Sequence, residues 1–505
     1  MRTQKTIRNS NYGIAYQSIN IIIKFALQTV FIKTLGADYL GINGLYTNIL
    51  QMLSLAELGV GEAIVYHLYR PIAVNDTEQI KALMSFYRRA YNTIGFIILA
   101  AGLLLTPFLK FIITNPPDIP DLVVFYWLFL ANTVISYFFS YKRSIITADQ
   151  NAYINTQNQL VRSIIQTVLQ VIVLVFFHNY YLYLIIMVLC TLGSNIAISR
   201  KANRLYPYLV NNRSGISPKE KKSILRDVYA MTAHKVGNVI VNGTDNILLS
   251  MFVGITEVGI YSNYVLIKSA LSSLLNQFFS AMTASVGNMN VLESKEKSYS
   301  IYLSSLLANF WLYGFTSIGF FICVNPLIII WAGKDYLLSV PLVFMITINY
   351  YISGVRATTL TFRDTLGLFW NDRHKPYFEA AINLAASLYF LKYYGFVGIL
   401  IGTFISTITT CFWVEPYVLY KYGFHKPVSG YFLRYLIYTI IIAAAGAFTF
   451  WICSFISFNG WLGLIIRVLA CCIIPNAIFY VLARPLPEFQ YLYRTVLYIL
   501  YGKKG

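Results

Sequence analysis

Leu35-Gly36-Ala37-Asp38-Tyr39-Leu40-Gly41-Ile42 returns, in outline, as Val253-Gly254-Ile255-Thr256-Glu257-Val258-Gly259-Ile260, 218 positions further on. Each copy lies between two long apolar runs, so each reads as a short turn where glycine supplies backbone freedom. The same offset relates Ile7-Arg8-Asn9 to Leu225-Arg226-Asp227, and Asn20 to Asn238. Chance can supply a match or two, but not one offset held from residue 7 to residue 41. Later, Tyr141-Lys142-Arg143 with Asp149 and Tyr153 parallels Phe362-Arg363 with Asp372 and Tyr377, after a slip in register. The chain therefore reads as two copies of one unit.

The runs beside these turns set the class. Of 505 residues, 57% are hydrophobic and 12% charged, and the mean hydropathy is +0.60. A water-soluble domain has no way to cover that much apolar surface. A membrane span needs about 20 mainly apolar residues. Candidate spans fall at 11–35, 40–69, 91–113, 122–141, 157–177, 181–199, 228–252, 258–287, 300–331, 340–362, 377–391, 396–419, 431–454 and 461–482. The expected fold is an all-α polytopic membrane protein of about fourteen transmembrane helices.

The only long polar stretch, Arg200 to Asp227, divides the spans. It suggests an N-terminal six-helix lobe over 1–199, a basic cytoplasmic linker over 200–227, and a second six-helix lobe over 228–420. Helices 13 and 14 with a tail then occupy 421–505. Units of six spans enter the membrane in the same direction, which predicts parallel pseudo-two-fold symmetry.

Charge placement orients the chain. Most of the 39 Lys and Arg fall in the N-terminal tail, alternate loops and C-terminal tail, whereas only Lys33, Lys110, Lys334 and Lys392 fall in the intervening segments. The positive-inside rule puts both termini in the cytoplasm and accounts for the net charge of +19 without nucleic acid. Arg2, Lys5 and Arg8 mimic the start of a signal peptide, but Lys24 and Gln28 interrupt the following run, so it reads as an uncleaved first span. Cys190, Cys323, Cys411, Cys453, Cys471 and Cys472 all lie in apolar runs without zinc-like spacing.

Charged groups within spans face a bundle interior or a cavity, because lipid penalises them. These are Lys24, Glu57, Glu62, Arg162, Lys235, Asp245, Lys268, Arg356 and Arg467. Lys24 is deepest, about 20 Å into its span by helical rise. It reads either as an anion-binding group or as the structural partner of Glu57 or Asp245. Lys235, Lys268 and Arg356 share the anionic-substrate reading, and Glu57 suits a counter-ion or proton relay. Arg162 and Arg467 read as snorkelling or structural. No catalytic constellation and no nucleotide loop is legible, which points away from an enzyme.

Several pieces resemble one family in order. They are the basic tail before a Lys-containing span, Leu35-Gly36 to Gly41-Ile42, and Glu57-Leu58-Gly59-Val60-Gly61 with Ala63-Ile64. Ala148-Asp149-Gln150, Asp245-Asn246, Val258-Gly259-Ile260-Tyr261-Ser262, Arg363, Asp372-Arg373, Glu379, Asn383, Gly398 and Gly402-Thr403 follow. Together they resemble the Wzx-type polysaccharide-unit flippases of the multidrug/oligosaccharidyl-lipid/polysaccharide exporter superfamily. The resemblance implies that undecaprenyl-pyrophosphate-linked oligosaccharide moves from the inner to the outer leaflet of the bacterial cytoplasmic membrane, by alternating access around a cationic cavity. It implies O-antigen, capsule or exopolysaccharide assembly, with glycosyltransferases and a polymerase as partners. The related lipid II flippases further imply a sodium site from Asp245, Asn383, Ser387, Thr403 and the Ile399 carbonyl, with Ser387 standing where that family has an acid. Sodium or protons are the coupling ions so implied, and no other cofactor is expected. A cation-coupled multidrug exporter of the same fold and a membrane-embedded polysaccharide polymerase are the alternatives.

Overall fold

A computed structural model describes the chain except residues 1, 55–59, 114–118, 139, 211–214, 219–220, 223, 226–227, 229–242, 293, 369–370 and 502–505. Within helices, the side chains of 2–11, 14, 62–64, 66, 277–292 and 495–501 are also outside the description. The described residues are helical and contain no strand. They form two compact units, Met1–Ser262 and Asn263–Gly505.

In the first unit, α1 (Arg2–Leu53) breaks at Gly36, whose φ of 82° and ψ of −172° make the expected turn between the first two apolar runs. α2 (Val60–Ala73) and α3 (Thr77–Leu105) follow. The Asp76 carboxylate accepts from the Gln79 amide at 2.9 Å and so starts α3 on one of its unpaired N–H groups. α4 (Leu122–Tyr137) and α5 (Lys142–Ala148) meet at a 48° bend. Backbone carbonyls freed by a bend inside a membrane need other donors. The Asn195 side-chain amide donates to the carbonyls of Ile135 at 2.9 Å and Phe138 at 3.1 Å.

α6 (Ala152–Phe177) and α7 (Tyr180–Leu205) form a hairpin at the expected break. His178 is left-handed at φ 48°, and the Asn179 side chain accepts from the Leu182 amide at 3.0 Å. α6 is two-faced. Val161, Ile164, Ile165, Val168, Leu169 and Ile172 are exposed, whereas Asn158, Arg162, Gln166 and Gln170 recur every fourth residue on another side. Residues 243–252 form another helix.

α8 (Ile255–Leu292) crosses the boundary between the units. The second unit continues with α9 (Lys295–Trp331), α10 (Val340–Val355), α11 (Ala357–Thr365), α12 (Lys375–Tyr394) and α13 (Phe396–Thr409). α14 (Cys411–Val418), α15 (Ser429–Ser454), α16 (Gly460–Ala483) and α17 (Pro487–Tyr501) complete it. Tyr302, Phe310, Phe362, Tyr420 and Tyr431 anchor a buried aromatic cluster. α12 and α13 turn at Gly395, φ 55°, and pack closely because a Cβ on Gly402 would collide with Ser387.

Among the described residues, nine helices are long and apolar enough to cross a membrane, or ten if α4 and α5 make one bent span. This is the expected all-α polytopic class. Of the four expected spans not counted, 258–287 and 377–391 lie in α8 and α12, which are not among these helices. The first two runs join across Gly36, and most of the 228–252 run lies outside the described residues.

Candidate functional site

The charges of the second unit gather where α10, α11, α12 and α14 meet. The Arg356 Nε donates to Glu415 Oε2 at 2.9 Å and its Nη2 donates to Glu415 Oε1 at 2.6 Å, a two-pronged pair. Lys375 also donates to Glu415. Arg363 donates to Asp372, and to Asp364 Oδ1 from Nε at 2.9 Å and from Nη2 at 2.7 Å. Glu415 is fully buried and Asp372 nearly so. Each of the three bases here is thus paired with a carboxylate. Arg356, an expected anion contact, is thus held by an internal carboxylate. Glu415 was missed in the sequence, although an acid beside Pro416 within a long apolar run is itself a signal.

The residues of the implied sodium site come together in part. The Asn383 side-chain amide donates to Thr403 Oγ1 at 3.1 Å. Ser387 Oγ donates to the Ile399 carbonyl at 3.2 Å, and Thr403 Oγ1 to the same carbonyl at 3.4 Å. Asn383 and Ser387 are fully buried, and Asn383 Oδ1 has no hydrogen-bond partner. Four oxygens with one left bare suit a small hard cation, but none of the four carries a charge. Asp245 is half-buried in the first unit.

Lys24 is exposed on α1 and makes no ion pair with a described residue. Lys268 is half-buried on α8. Glu57 and Lys235, the other two expected substrate contacts, lie outside the described residues.

A second polar cluster occupies the first unit, where α1, α5, α6 and α7 meet. Arg143 Nη2 donates to Ser194 Oγ at 3.3 Å and to Asn195 Oδ1 at 3.1 Å. Ser194 Oγ donates to Asn158 Oδ1 at 2.7 Å, and Arg162 Nη1 to Thr191 Oγ1 at 3.4 Å. Ser163 Oγ donates to Asn20 Oδ1 of α1 at 3.3 Å. The sequence signal was the run of Asn158, Arg162, Gln166 and Gln170 at helical spacing on a membrane helix.

Comparison with known proteins gives this arrangement a context. A family model described as "Polysaccharide biosynthesis protein" matches residues 6–283. The chain belongs to the polysaccharide biosynthesis protein family. No curated protein matches this family member. Its fold is similar to that of the lipid II flippase MurJ in an inward closed conformation, with a TM-score of 0.66 at 14% identity, over 94% of this chain and 99% of that one. It is also similar to an inward-facing multidrug resistance MATE family transporter of the MOP superfamily, with a TM-score of 0.63 at 14% identity over 81% and 98% of the two chains. The Vibrio cholerae MATE transporter VcmN matches with a TM-score of 0.58 at 13% identity, over 85% and 99%. At such identities the likeness shows the shared fold, and this polysaccharide biosynthesis protein is a multi-pass membrane protein of that fold.

Proposed function

We propose that this protein moves polyprenyl-pyrophosphate-linked oligosaccharide units from the inner to the outer leaflet of a bacterial cytoplasmic membrane, for surface polysaccharide assembly. The observation that carries this reading is the polysaccharide biosynthesis family match over residues 6–283, on a fold that follows a lipid flippase over 94% of the chain. The sequence repeat supports alternating access, a mechanism common among transporters built from internal repeats. With both termini cytoplasmic, as the charge pattern predicts, the substrate enters from the side where glycosyltransferases build it. A polymerase then takes the unit on the outer face.

Its chemistry follows from the substrate's two ends. The pyrophosphate needs cations, and in the first unit exposed Lys24 makes no ion pair with a described residue, whereas Arg356 is committed to Glu415. The polyprenyl tail needs apolar surface. α9, α10 and α15 offer a cavity of about 430 Å³ lined by Phe321, Phe344, Tyr351, Ile442 and Phe450. Asn383, Ser387, Thr403 and the Ile399 carbonyl supply oxygens for a coupling sodium ion.

Deleting the gene should make lipid-linked oligosaccharide accumulate on the inner leaflet, seen by mass spectrometry of extracted lipids, and should abolish surface polymer. A deletion strain with normal polymer and new sensitivity to cationic drugs would instead establish the multidrug exporter. Polymerisation of pre-flipped units by the purified protein would establish an enzyme.

A further inference from the structure

Four buried or half-buried arginines of the two units differ in one respect. Arg356 holds Glu415, and Arg363 holds Asp364 and Asp372. Arg143 is the counterpart of Arg363 in the first repeat, yet its hydrogen-bond partners are Ser194 and Asn195, both neutral. Asp149, the counterpart of Asp372, instead accepts from Asn151 at 2.9 Å and Tyr206 at 2.8 Å. Among the described residues, Arg162 donates a hydrogen bond to Thr191, at 3.4 Å.

These two guanidiniums belong to one place. Arg143 is bound to Ser194, which is bound to Asn158, and Asn158 precedes Arg162 by one turn of α6. Thr191 and Ser194, the two hydroxyl contacts, are one turn apart on α7. The two arginine charges act on each other, and Tyr16 of α1 is within electrostatic reach of Arg143. No carboxylate among the described residues pairs with either. Each also has an Nε that is buried without a hydrogen-bond partner. Two like charges held together and half-buried repel, and each has lost part of its solvation. An anion seated between them removes both penalties. Guanidinium forks with unused donors match the oxygens of a phosphate.

We infer that Arg143 and Arg162 form a phosphate-binding site in the first unit, taking the pyrophosphate of a polyprenyl-linked substrate. Their place, about ten residues from the cytoplasmic start of α6 by the charge rule, is where such a headgroup arrives from the inner leaflet. Asn158, Ser194 and Thr191 hold the two side chains at a fixed separation. This assignment rests on the flippase reading for the identity of the lipid, but not for the anion chemistry.

The test uses the full chain in detergent micelles, with farnesyl pyrophosphate, inorganic pyrophosphate and farnesol as probes in calorimetry. The wild type should bind farnesyl pyrophosphate and not farnesol. Arg162→Gln should weaken binding about ten-fold or more, Arg162→Lys should recover part of it, and the Arg143→Gln/Arg162→Gln double variant should abolish it. Should Arg143→Gln fail to fold, Arg162→Gln decides alone, since Arg162 has one long hydrogen bond to lose. Unchanged affinity in Arg162→Gln, no binding by the wild type, or binding of inorganic pyrophosphate with the farnesyl form excluded would each overturn the site. A gene deletion with normal surface polymer would refute the flippase reading and leave the binding result standing.

Discussion

Thr256 donates a hydrogen bond from Oγ1 to Asp38 Oδ1 at 2.5 Å, and the two residues are 218 positions apart, the offset of the internal repeat. Each is thus the other's counterpart, and they meet where the two turns face one another. The backbone does the same on either side. A Cβ on Gly41 would overlap the Ile255 carbonyl, and a Cβ on Gly259, its counterpart, would overlap the Ala37 carbonyl. Reciprocal contacts of this kind are what a two-fold axis between the turns produces.

Gly41→Ala and Gly259→Ala should therefore destabilise the protein to a similar degree, by about 1–3 kcal/mol each as overpacking does. Asp38→Ala and Thr256→Ala should cost about 1–2 kcal/mol, with most of the loss shared in the double variant. Melting of the detergent-solubilised protein measures all of these. A large effect at Gly41 with none at Gly259 would refute the symmetric contact.

Glu415 pairs with both Arg356 and Lys375 in a buried setting. Glu415→Gln should cost about 3–5 kcal/mol, because it removes the carboxylate that two buried cations share. Adding Arg356→Met should recover part of that loss, since replacing a buried pair is gentler than breaking it. Thermal unfolding of the single and double variants is the measurement, and no recovery would count against the pairing.

Sodium should raise the melting temperature of the wild type and leave Asn383→Ala and Thr403→Ala unmoved, with potassium as the control. Binding of radiolabelled sodium should fall to background in both variants. Sodium binding that survives Asn383→Ala would remove Asn383 from the site.

Lys24 is exposed on the first membrane helix and has no described ion-pair partner. Lys24→Ala should stop surface polymer while the protein still reaches the membrane, and Lys24→Arg should retain much of the activity by keeping the charge. Polymer staining alongside a membrane immunoblot reads both. Normal polymer in Lys24→Ala would take this residue out of substrate handling.

Much of the fold was legible because membrane folding is governed by short-range rules. Runs of about 20 apolar residues had to be helices. His178-Asn179 and Lys392 to Gly395 were visible breaks, and both are turns. The site was less legible. Arg356 and Arg162 were both charges in apolar runs, alike by composition and separated by partner: one faces an acid and the other a threonine. Glu415 lies 59 positions from Arg356 and Arg143 lies 51 from Ser194, so no local pattern announces either contact.

Sequence alone determined the helical class, the repeat and the turn glycines, because hydrophobic length, loop charge and backbone freedom are properties of local segments. Only tertiary structure decided which buried charges are balanced. Ion pairing depends on distances between side chains from different helices, and a carboxylate a few ångströms away turns an arginine from a ligand into a strut. Arg363 acquired such carboxylates and its counterpart Arg143 did not, a difference invisible until the helices were packed.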